Sequence, residues 1–284
     1  MQKLTEKFTL HVRTMTGLEG VLADELAALG ARDLEPQNRL VICRGDLALL
    51  YRINIECRTA IRVLRPLVSF SAPDEASFYK GLQQIDWSKW MPATGSLAVN
   101  AHVHSSFTTH SLFIAQLAKD AVVDQFREST GERPSVDLKQ PDLRIVVSLF
   151  QNTAQISVDA SGESLHRRGY RLEAGEAPLN ETLAAGILKL SGWDCASPLL
   201  DPMCGSGTFA IEAGLMARNI APGLVGRSYG FQSWPDYDPA LFDQLIERAR
   251  AAVLPPGEAP IIGLEIDPEV AEIARHNVER AGLT

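Results

Sequence analysis

The chain has 284 residues, of which 45% are hydrophobic and 22% are charged. This composition supports sizeable apolar cores, and the length is typical of about two domains. No apolar run reaches the roughly 18 residues of a membrane span, and the first residues lack the apolar stretch of a signal peptide. Four cysteines without CxxC spacing argue against a zinc knuckle or a disulfide framework. These features predict a soluble, cytoplasmic protein.

The net charge of −8 is unevenly distributed. Residues 1–65 carry 10 Lys and Arg against 8 Asp and Glu, whereas residues 171–284 carry 8 against 16. The N-terminal part also contains a small basic cluster, Arg58, Arg62 and Arg65. Because local patches matter more than total charge for phosphate binding, contact with nucleic acid stays open. A solvated helix face explains the cluster equally well.

The first 65 residues have the pattern of a small α+β layer. Strands are predicted at 8–15, 39–45 and 60–70, and helices at 16–30 and 46–57. Thr16 and Glu19 have the spacing of a capping box, in which each side chain bonds the backbone of the other. Gly30 is of the type that ends a helix, and Asp46 is of the type that begins one.

Residues 66–162 form a second α+β pattern. Helices are predicted at 74–85 and 111–130, and a strand at 96–105. The stretch 142–161 reads as two strands joined at Gln151 and Asn152, which is a hairpin. The following segment, 161–178, is rich in Gly and Arg and is interpreted as a linker or a functional loop.

From residue 179 the pattern changes to strands that alternate with helices. Helices are predicted at 180–192, 207–219, 241–253 and 269–283, and apolar strands at 197–202 and 260–268. This alternation is typical of a doubly wound parallel sheet whose strands are buried. A sheet of this kind has about five strands or more, and only two are recognisable. The α/β part is therefore expected to be incomplete.

A glycine turn joins the strand at 197–202 to the next helix. A phosphate-binding Walker loop needs a lysine after its second glycine, and none follows Gly207. Residues 205–210 fit a loose dinucleotide-binding pattern, which keeps a nicotinamide oxidoreductase as a competing class. Asp201, just before the turn, would repel a pyrophosphate but would attract a cation. A ligand with an ammonium or sulfonium group, S-adenosylmethionine, is therefore favoured.

Two acids follow the second apolar strand. Glu265 lies where a carboxylate can accept both hydroxyls of a ribose, a feature that methyltransferases and dinucleotide enzymes share. Asp267 would face the same way if the strand continued. Since Pro268 follows it at the start of a helix, Asp267 also has the sequence context of an N-cap.

Several stretches together carry a resemblance to a known family. "DPMCGSGTFAIEA" and "GLEIDP" resemble motifs I and II of class I S-adenosylmethionine-dependent methyltransferases. "SGESLHRRGYR" and "APLNETLAAGIL" narrow the resemblance to THUMP-domain RNA methyltransferases, specifically the bacterial large-subunit ribosomal RNA guanine-N2 methyltransferases of the RlmL type. The resemblance implies a mixed α/β and α+β fold. It has a ferredoxin-like domain over 1–65, a THUMP domain over 66–162 and part of a Rossmann-like methyltransferase domain over 163–284.

The resemblance implies roles for the residues of the glycine turn. Asp201 would face the methionine amino group, and Gly205 and Gly207 would let the loop approach the cofactor without a Cβ in the way. Thr208 would bond the carboxylate end of the cofactor or cap its helix. Cys204 is interpreted as a small packing residue and not as a nucleophile.

Further residues are carried over by the same resemblance. Glu265 and Asp267 are assigned to cofactor binding, and Asn180 is a weaker candidate that has the alternative of capping its own helix. RNA phosphate contact is assigned to four residues of the loop after the THUMP domain, with ion pairing to the acidic third of the chain as an equal alternative: His166, Arg167, Arg168 and Arg171. No metal is expected, since the histidines 102, 104 and 110 have no accompanying ligand cluster.

The motif that would contact the target base is missing. The family uses an N-P-P-Y or D-P-P-Y turn to bond the base amine and to stack on the flipped base. The single Pro-Pro pair, in "LPPGE" at 254–258, lacks both flanking residues. No catalytic residue is therefore assigned, and the chain is expected to be a fragment of a guanine-N2 methyltransferase acting on 23S ribosomal RNA. A transfer RNA enzyme and a non-catalytic RNA-binding fragment are the alternatives.

Overall fold

The computed structural model describes residues 6–171 and 179–283. The strands, in chain order, are β1 Phe8–Arg13, β2 Arg32–Gln37, β3 Leu40–Gly45, β4 Arg62–Ser71, β5 Ser96–His104, β6 Ser135–Val136, β7 Leu143–Phe150, β8 Thr153–Asp159, β9 Leu199–Asp201 and β10 Ile261–Gly263. The helices are α1 Glu19–Ala28, α2 Leu47–Glu56, α3 Glu75–Gln83, α4 Ser111–Thr130, α5 Glu181–Leu190, α6 Thr208–Ala217, α7 Pro239–Ala251 and α8 Pro268–Arg280. The last seven residues of the predicted loop at 161–178 lie outside the described range.

The chain forms two compact units, each built from separate stretches of sequence. The first unit comprises Met1–Val63, Glu163–Arg227 and Asp238–Thr284, and the second comprises Leu64–Gly162 and Ser228–Tyr237. The predicted N-terminal and methyltransferase parts thus share the first unit. The domain boundaries 1–65, 66–162 and 163–284 stay predictions.

The first unit contains the antiparallel strands β2, β3 and β1, in that order, with α1 and α2. β1 and β3 place Leu10, Val12, Val41 and Cys43 in the core, fully buried. The sequence missed β2 because its residues are polar and mostly exposed, without the alternation of a half-buried strand. β2 is a strand because it pairs with β3 across a tight turn.

The sequence predicts side-chain caps for α1 and α2, and the structure contains one of them. The Asp46 carboxylate accepts a hydrogen bond from the Leu49 N–H at 3.0 Å and caps α2, as predicted. The capping box at Thr16 and Glu19 is wrong, because α1 begins after Leu18 without a side-chain cap. The Glu19 carboxylate instead accepts bonds from the N–H groups of Gly17 and Arg39, each at 2.8 Å.

The second unit is a mixed sheet in the order β4, β8, β7, β5, β6. β7 and β8 form the predicted hairpin, and Gln151 and Asn152 turn it with positive φ angles of 47° and 58°. α3 and α4 pack in this unit. The distant segment 228–237 completes it: the Phe231 side chain is fully buried, and its N–H bonds the Ala160 carbonyl at 3.1 Å.

The α/β part of the first unit has a parallel sheet of two strands, β10 and β9, with α5, α6, α7 and α8 in the same unit. The prediction that these strands are buried is wrong. Leu200 and Ile262 are 60% and 45% exposed, and Ile266 just beyond β10 is 99% exposed. The reason is that no further element among the described residues covers this apolar face.

No helix among the described residues is both long enough and apolar enough to cross a bilayer.

Candidate cofactor and RNA site

The glycine turn between β9 and α6 is held tightly against the end of β10. The Leu264 N–H bonds the Asp201 carbonyl at 2.8 Å, and the Cys204 N–H bonds the Leu264 carbonyl at 2.9 Å. Gly205 and Gly207 have φ angles of +53° and +84°, which glycine adopts without strain. No atom lies within 4 Å of the position of a Gly205 Cβ. The turn therefore offers bare backbone that a ligand can approach.

Glu265 connects the two loops at this end of the sheet. Its carboxylate accepts a hydrogen bond from the Gly205 N–H at 2.9 Å and another from the Asp267 N–H at 3.0 Å. The side chain is half-buried, so it retains a face toward solvent. The structure thus brings the predicted ribose-binding acid and the predicted glycine turn together, across 60 residues of sequence.

Asp201 and Cys204 flank the turn in different ways. The Asp201 carboxylate accepts a bond from the Met203 N–H at 3.2 Å and is otherwise available at the strand end. Burial, together with the negative charges of Asp201 and Glu265, raises the pKa of the Cys204 thiol. A raised pKa disfavours the thiolate, which supports the interpretation of Cys204 as a packing residue.

The helix after the turn is supported by two residues of α8. The Asn277 side chain is fully buried and donates to the Ser206 carbonyl at 3.1 Å. A Cβ on Gly207 would meet the Ala274 Cβ at 3.3 Å, so α8 packs directly against the second glycine. Asn277 is not among the residues predicted from the sequence. Its signal is a single amide on an otherwise apolar helix face.

Two of the residues predicted to bind the cofactor cap helices in the structure. The Asn180 side chain accepts a bond from the Leu183 N–H at 3.2 Å at the start of α5. The Asp267 side chain accepts bonds from the N–H groups of Glu269 and Val270 at the start of α8. Both residues thus adopt the alternative role that their sequence contexts allow, while a role in cofactor binding stays a prediction.

Thr208 does not cap its helix, while its role in cofactor binding stays a prediction. Gly207 is the N-cap of α6, and no side chain caps this helix. The Thr208 hydroxyl, which is nearly buried, instead accepts a bond from an Arg171 Nη at 2.6 Å. The same guanidinium donates to the Leu179 carbonyl at 2.7 Å and lies 3.5 Å from the Glu181 carboxylate. Arg171 therefore joins the start of α6 to the start of α5.

Arg168 is enclosed by protein. Its side chain is 1% exposed, donates to the carbonyls of Leu165 and Arg58, and pairs with the fully buried Glu212 of α6 at 3.5 Å. The Tyr170 hydroxyl donates to the same carboxylate at 3.1 Å. For Arg168 and Arg171, the structure shows ion pairs with Glu212 and Glu181 of the acidic third of the chain, which is the alternative to RNA contact that their sequence context allows. Contact with RNA would require both side chains to leave these positions.

The other two residues of the loop are more accessible. Arg167 is exposed and pairs with Glu163 at 2.7 Å. Burial, followed by the charges of Arg167, Arg168 and Arg171, lowers the pKa of His166. The lowered pKa favours the neutral form of His166, whose ring nitrogen shares a hydrogen bond with the Ser164 hydroxyl at 2.8 Å. RNA contact by these residues stays a prediction.

Arg58, from the basic N-terminal cluster, also lies inside the first unit. Its guanidinium donates to the Leu215 carbonyl, in the last turn of α6, at 3.1 Å. It also donates to the Ile220 carbonyl, just after the end of α6, at 2.8 Å. A cation at the C-terminal end of a helix is favoured by the helix dipole. Three arginines therefore support α6, the helix that follows the glycine turn. Arg171 contacts its start, Arg168 its centre and Arg58 its end.

Among residues 6–171 and 179–283, no group of three or more His, Cys, Asp or Glu side chains is arranged to hold a metal ion.

Three family matches cover most of the chain. Residues 9–64 match the RlmL ferredoxin-like domain, residues 72–159 match the THUMP domain, and residues 168–284 match the RMKL-like methyltransferase domain. A candidate RNA methyltransferase of Synechocystis sp. is 43% identical over 94% of this chain and 70% of its own length. The ribosomal RNA large subunit methyltransferase K/L of Methylococcus capsulatus is 44% identical over 94% of this chain. The chain spans only 37% of that relative.

Solved structures agree with these matches. A candidate methyltransferase in complex with SAH (S-adenosylhomocysteine) superposes with a TM-score of 0.89 and 31% identity, over 98% of this chain and 73% of that one. A protein of Listeria monocytogenes, named as a predicted N6-adenine-specific DNA methylase, superposes with a TM-score of 0.88 and 30% identity, over 98% of this chain and 73% of that one.

The glycine turn, the acid at the end of β10 and these matches define an S-adenosylmethionine-dependent methyltransferase domain joined to a THUMP domain. The ferredoxin-like domain predicted at the N-terminus is confirmed as a third component. The chain belongs to the family of THUMP-domain RNA methyltransferases that includes the ribosomal RNA large subunit methyltransferases K/L.

Proposed function

We propose that the whole protein transfers a methyl group from S-adenosylmethionine to the N2 amine of a guanine in 23S ribosomal RNA. The observation that carries this proposal is the junction of Glu265 with the glycine turn, in a chain about 40% identical to ribosomal RNA methyltransferases over nearly all of its length. The specificity for guanine N2 rests on the family resemblance of the motifs. With ribosomal RNA as the substrate, a cytoplasmic location is part of this proposal.

The residues at the turn fit this cofactor. The open backbone at Gly205 accommodates a ligand, and Glu265 offers a carboxylate to the ribose hydroxyls. Asp201, at the end of β9, is proposed to face the methionine ammonium, through water or through the backbone. S-adenosylmethionine, when bound, supplies an electrophilic methyl group. The protein then contributes mainly by positioning, which supplies much of the rate in transfers of this kind.

The base-binding turn is proposed to lie outside these 284 residues. Two observations support this: the apolar face of β9 and β10 is exposed among the described residues, and the K/L relatives are more than twice as long as the matched region. We expect the coding sequence beyond Thr284 to encode an N-P-P-Y or D-P-P-Y turn. Its absence from that sequence would contradict the proposal.

The test uses the full coding sequence and unmodified ribosomal RNA. We expect 23S ribosomal RNA incubated with the full-length protein and labelled S-adenosylmethionine to yield N2-methylguanosine on nuclease digestion and mass spectrometry. Transfer RNA is the parallel substrate. Label in transfer RNA alone would replace the ribosomal substrate, and N6-methyladenine would replace the guanine. Binding of RNA without any binding of the methyl donor would favour a non-catalytic RNA-binding role.

A further inference from the structure

A basic pocket lies in the first unit, away from the glycine turn. It is a cavity of about 360 Å³ lined by β2, β3, the start of α2 and α7. Five cationic side chains contribute to its wall: Lys7, Arg32, Arg44, Arg52 and Arg248. Of the described residues that line it, Asp46 is the one acid.

Most of this positive charge has no partner among the described residues. Arg52 is neutralised by Glu56, at 2.7 Å, and also bonds the Leu29 carbonyl. The Asp46 carboxylate is engaged with the backbone of α2 as its N-cap. Four side chains remain exposed, and the structure gives them no ion pair: Lys7, Arg32, Arg44 and Arg248. The pocket thus has an excess of cations over anions.

Two of these cations are placed where they repel each other. Arg32 of β2 and Arg44 of β3 are direct partners in the antiparallel register, so their side chains emerge on the same face of the sheet. Like charges directly opposite on neighbouring strands destabilise a sheet. An anion bound between the two guanidinium groups would offset this repulsion. The pairing of two arginines at this position is therefore typical of an anion-binding site.

The pocket has the chemistry of a phosphate site. Arginine guanidinium groups match phosphate oxygens in geometry, and several exposed cations around one cavity release counterions when a phosphate backbone binds. We propose that this pocket binds backbone phosphates of the RNA substrate. The choice of RNA over a free phosphate compound rests on the proposed function.

The test compares the salt dependence of RNA binding in the protein made from the full coding sequence. Titrations of a fluorescent ribosomal RNA hairpin at several salt concentrations give the slope of log affinity against log salt. For the double variant Arg32→Gln, Arg44→Gln, we expect this slope to become shallower by about 2, since each lost phosphate contact reduces it by about 1. Arg248→Gln should reduce it by about 1, to the same extent for unrelated RNA sequences.

A matched control lies on the same helix. Arg250 of α7 is exposed but already pairs with Glu247 and is not part of the pocket wall, so Arg250→Gln should leave the slope unchanged. Calorimetry with S-adenosylmethionine should give one dissociation constant for all variants, because the pocket is separate from the cofactor turn. Thermal melts should show no loss of melting temperature in any variant, since all the substituted positions are exposed.

The outcomes separate this proposal from the proposed function. If the double variant binds cofactor and RNA with an unchanged slope of log affinity against log salt, the assignment of the pocket as a phosphate site is overturned and the proposed function is not. A chain that binds neither cofactor nor RNA would overturn both. Inorganic pyrophosphate is the second probe: if it binds the parent and not the double variant, while RNA binding is equal in the two, the pocket serves a free phosphate compound and the RNA assignment is overturned.

Discussion

The Glu265 carboxylate accepts hydrogen bonds from the glycine turn and from the start of α8. In the proposed complex it also accepts hydrogen bonds from the ribose hydroxyls. A hydrogen bond to a charged group contributes about 1.5 to 3 kcal/mol. The loss of this carboxylate is therefore expected to affect cofactor binding more than the fold.

We predict that Glu265→Gln weakens S-adenosylmethionine binding about 10- to 100-fold, as measured by calorimetry. Glu269→Gln is the control, since Glu269 is exposed on the first turn of α8 and the change in charge is identical. Equal dissociation constants for the parent and Glu265→Gln would remove this residue from the cofactor site.

Arg168 and Glu212 show how a buried ion pair behaves when one partner is removed. Both side chains are almost completely enclosed, so a lone Glu212 carboxylate would remain without a countercharge. We predict that Arg168→Met lowers the free energy of unfolding by about 3 to 5 kcal/mol. The double variant Arg168→Met, Glu212→Gln should recover part of this loss in a urea titration. A double variant as unstable as the single one would contradict the pairing.

Glu181 gives the first unit a predictable response to pH. Burial is the main cause that raises the pKa of this carboxyl above its ordinary value of 4.5, in spite of the nearby Arg171. The folded protein thus binds this proton more tightly than the unfolded chain. Its contribution to stability is complete below the ordinary value and is lost as the pH rises through the raised value.

We therefore expect the free energy of unfolding to fall over that interval and Glu181→Gln to flatten the fall. Urea titrations at a series of pH values measure both. Parallel pH profiles for the parent and the variant would refute this origin of the effect.

At the scale of the element, the segment 228–237 acts as a plug in the second unit. Tyr229 stacks on Phe231, Trp234 meets Trp90 edge to face at 5.5 Å, and Asp236 pairs with Arg65 at 2.7 Å. Gly230 permits this approach, since a Cβ there would lie 2.5 Å from the Asp159 carbonyl oxygen.

We predict that Gly230→Ala destabilises the second unit by about 1 to 3 kcal/mol, because backbone on both sides must move. Hydrogen exchange in β8 reports this directly. Gly257→Ala is the control, since Gly257 has open space at its Cβ position and an ordinary φ. The same exchange rates in both variants would show that the segment tolerates the added methyl group.

Sequence patterns predicted the elements whose signals are local. The cap at Asp46, the hairpin turn at Gln151 and Asn152 and the glycine turn before α6 each depend on a few adjacent residues. β2 escaped detection because pairing with β3, and not its own composition, makes it a strand. The interior position of Arg168 was equally hidden, since its partner Glu212 is 44 residues away.

At the scale of the whole molecule, the two compact units are interleaved along the chain. The chain passes from one to the other after residues 63, 162, 227 and 237. The N-terminal layer and the cofactor turn belong to one unit. Polar contacts that join the layer to the rest of this unit include Arg58 with the Leu215 carbonyl, Arg168 with the Arg58 carbonyl and Lys189 with Glu25. We therefore expect substitutions that loosen the N-terminal layer to weaken cofactor binding as well.

The plug at 228–237 also imposes an order on biosynthesis. Residues 64–162 can leave the ribosome, but their unit is not complete until Tyr237 has followed, 75 residues later. At about 5 to 20 residues per second, translation leaves this sheet without its plug for roughly 4 to 15 s. During that interval the cleft that receives Phe231 and Trp234 is open, and it offers an apolar surface that a chaperone can hold.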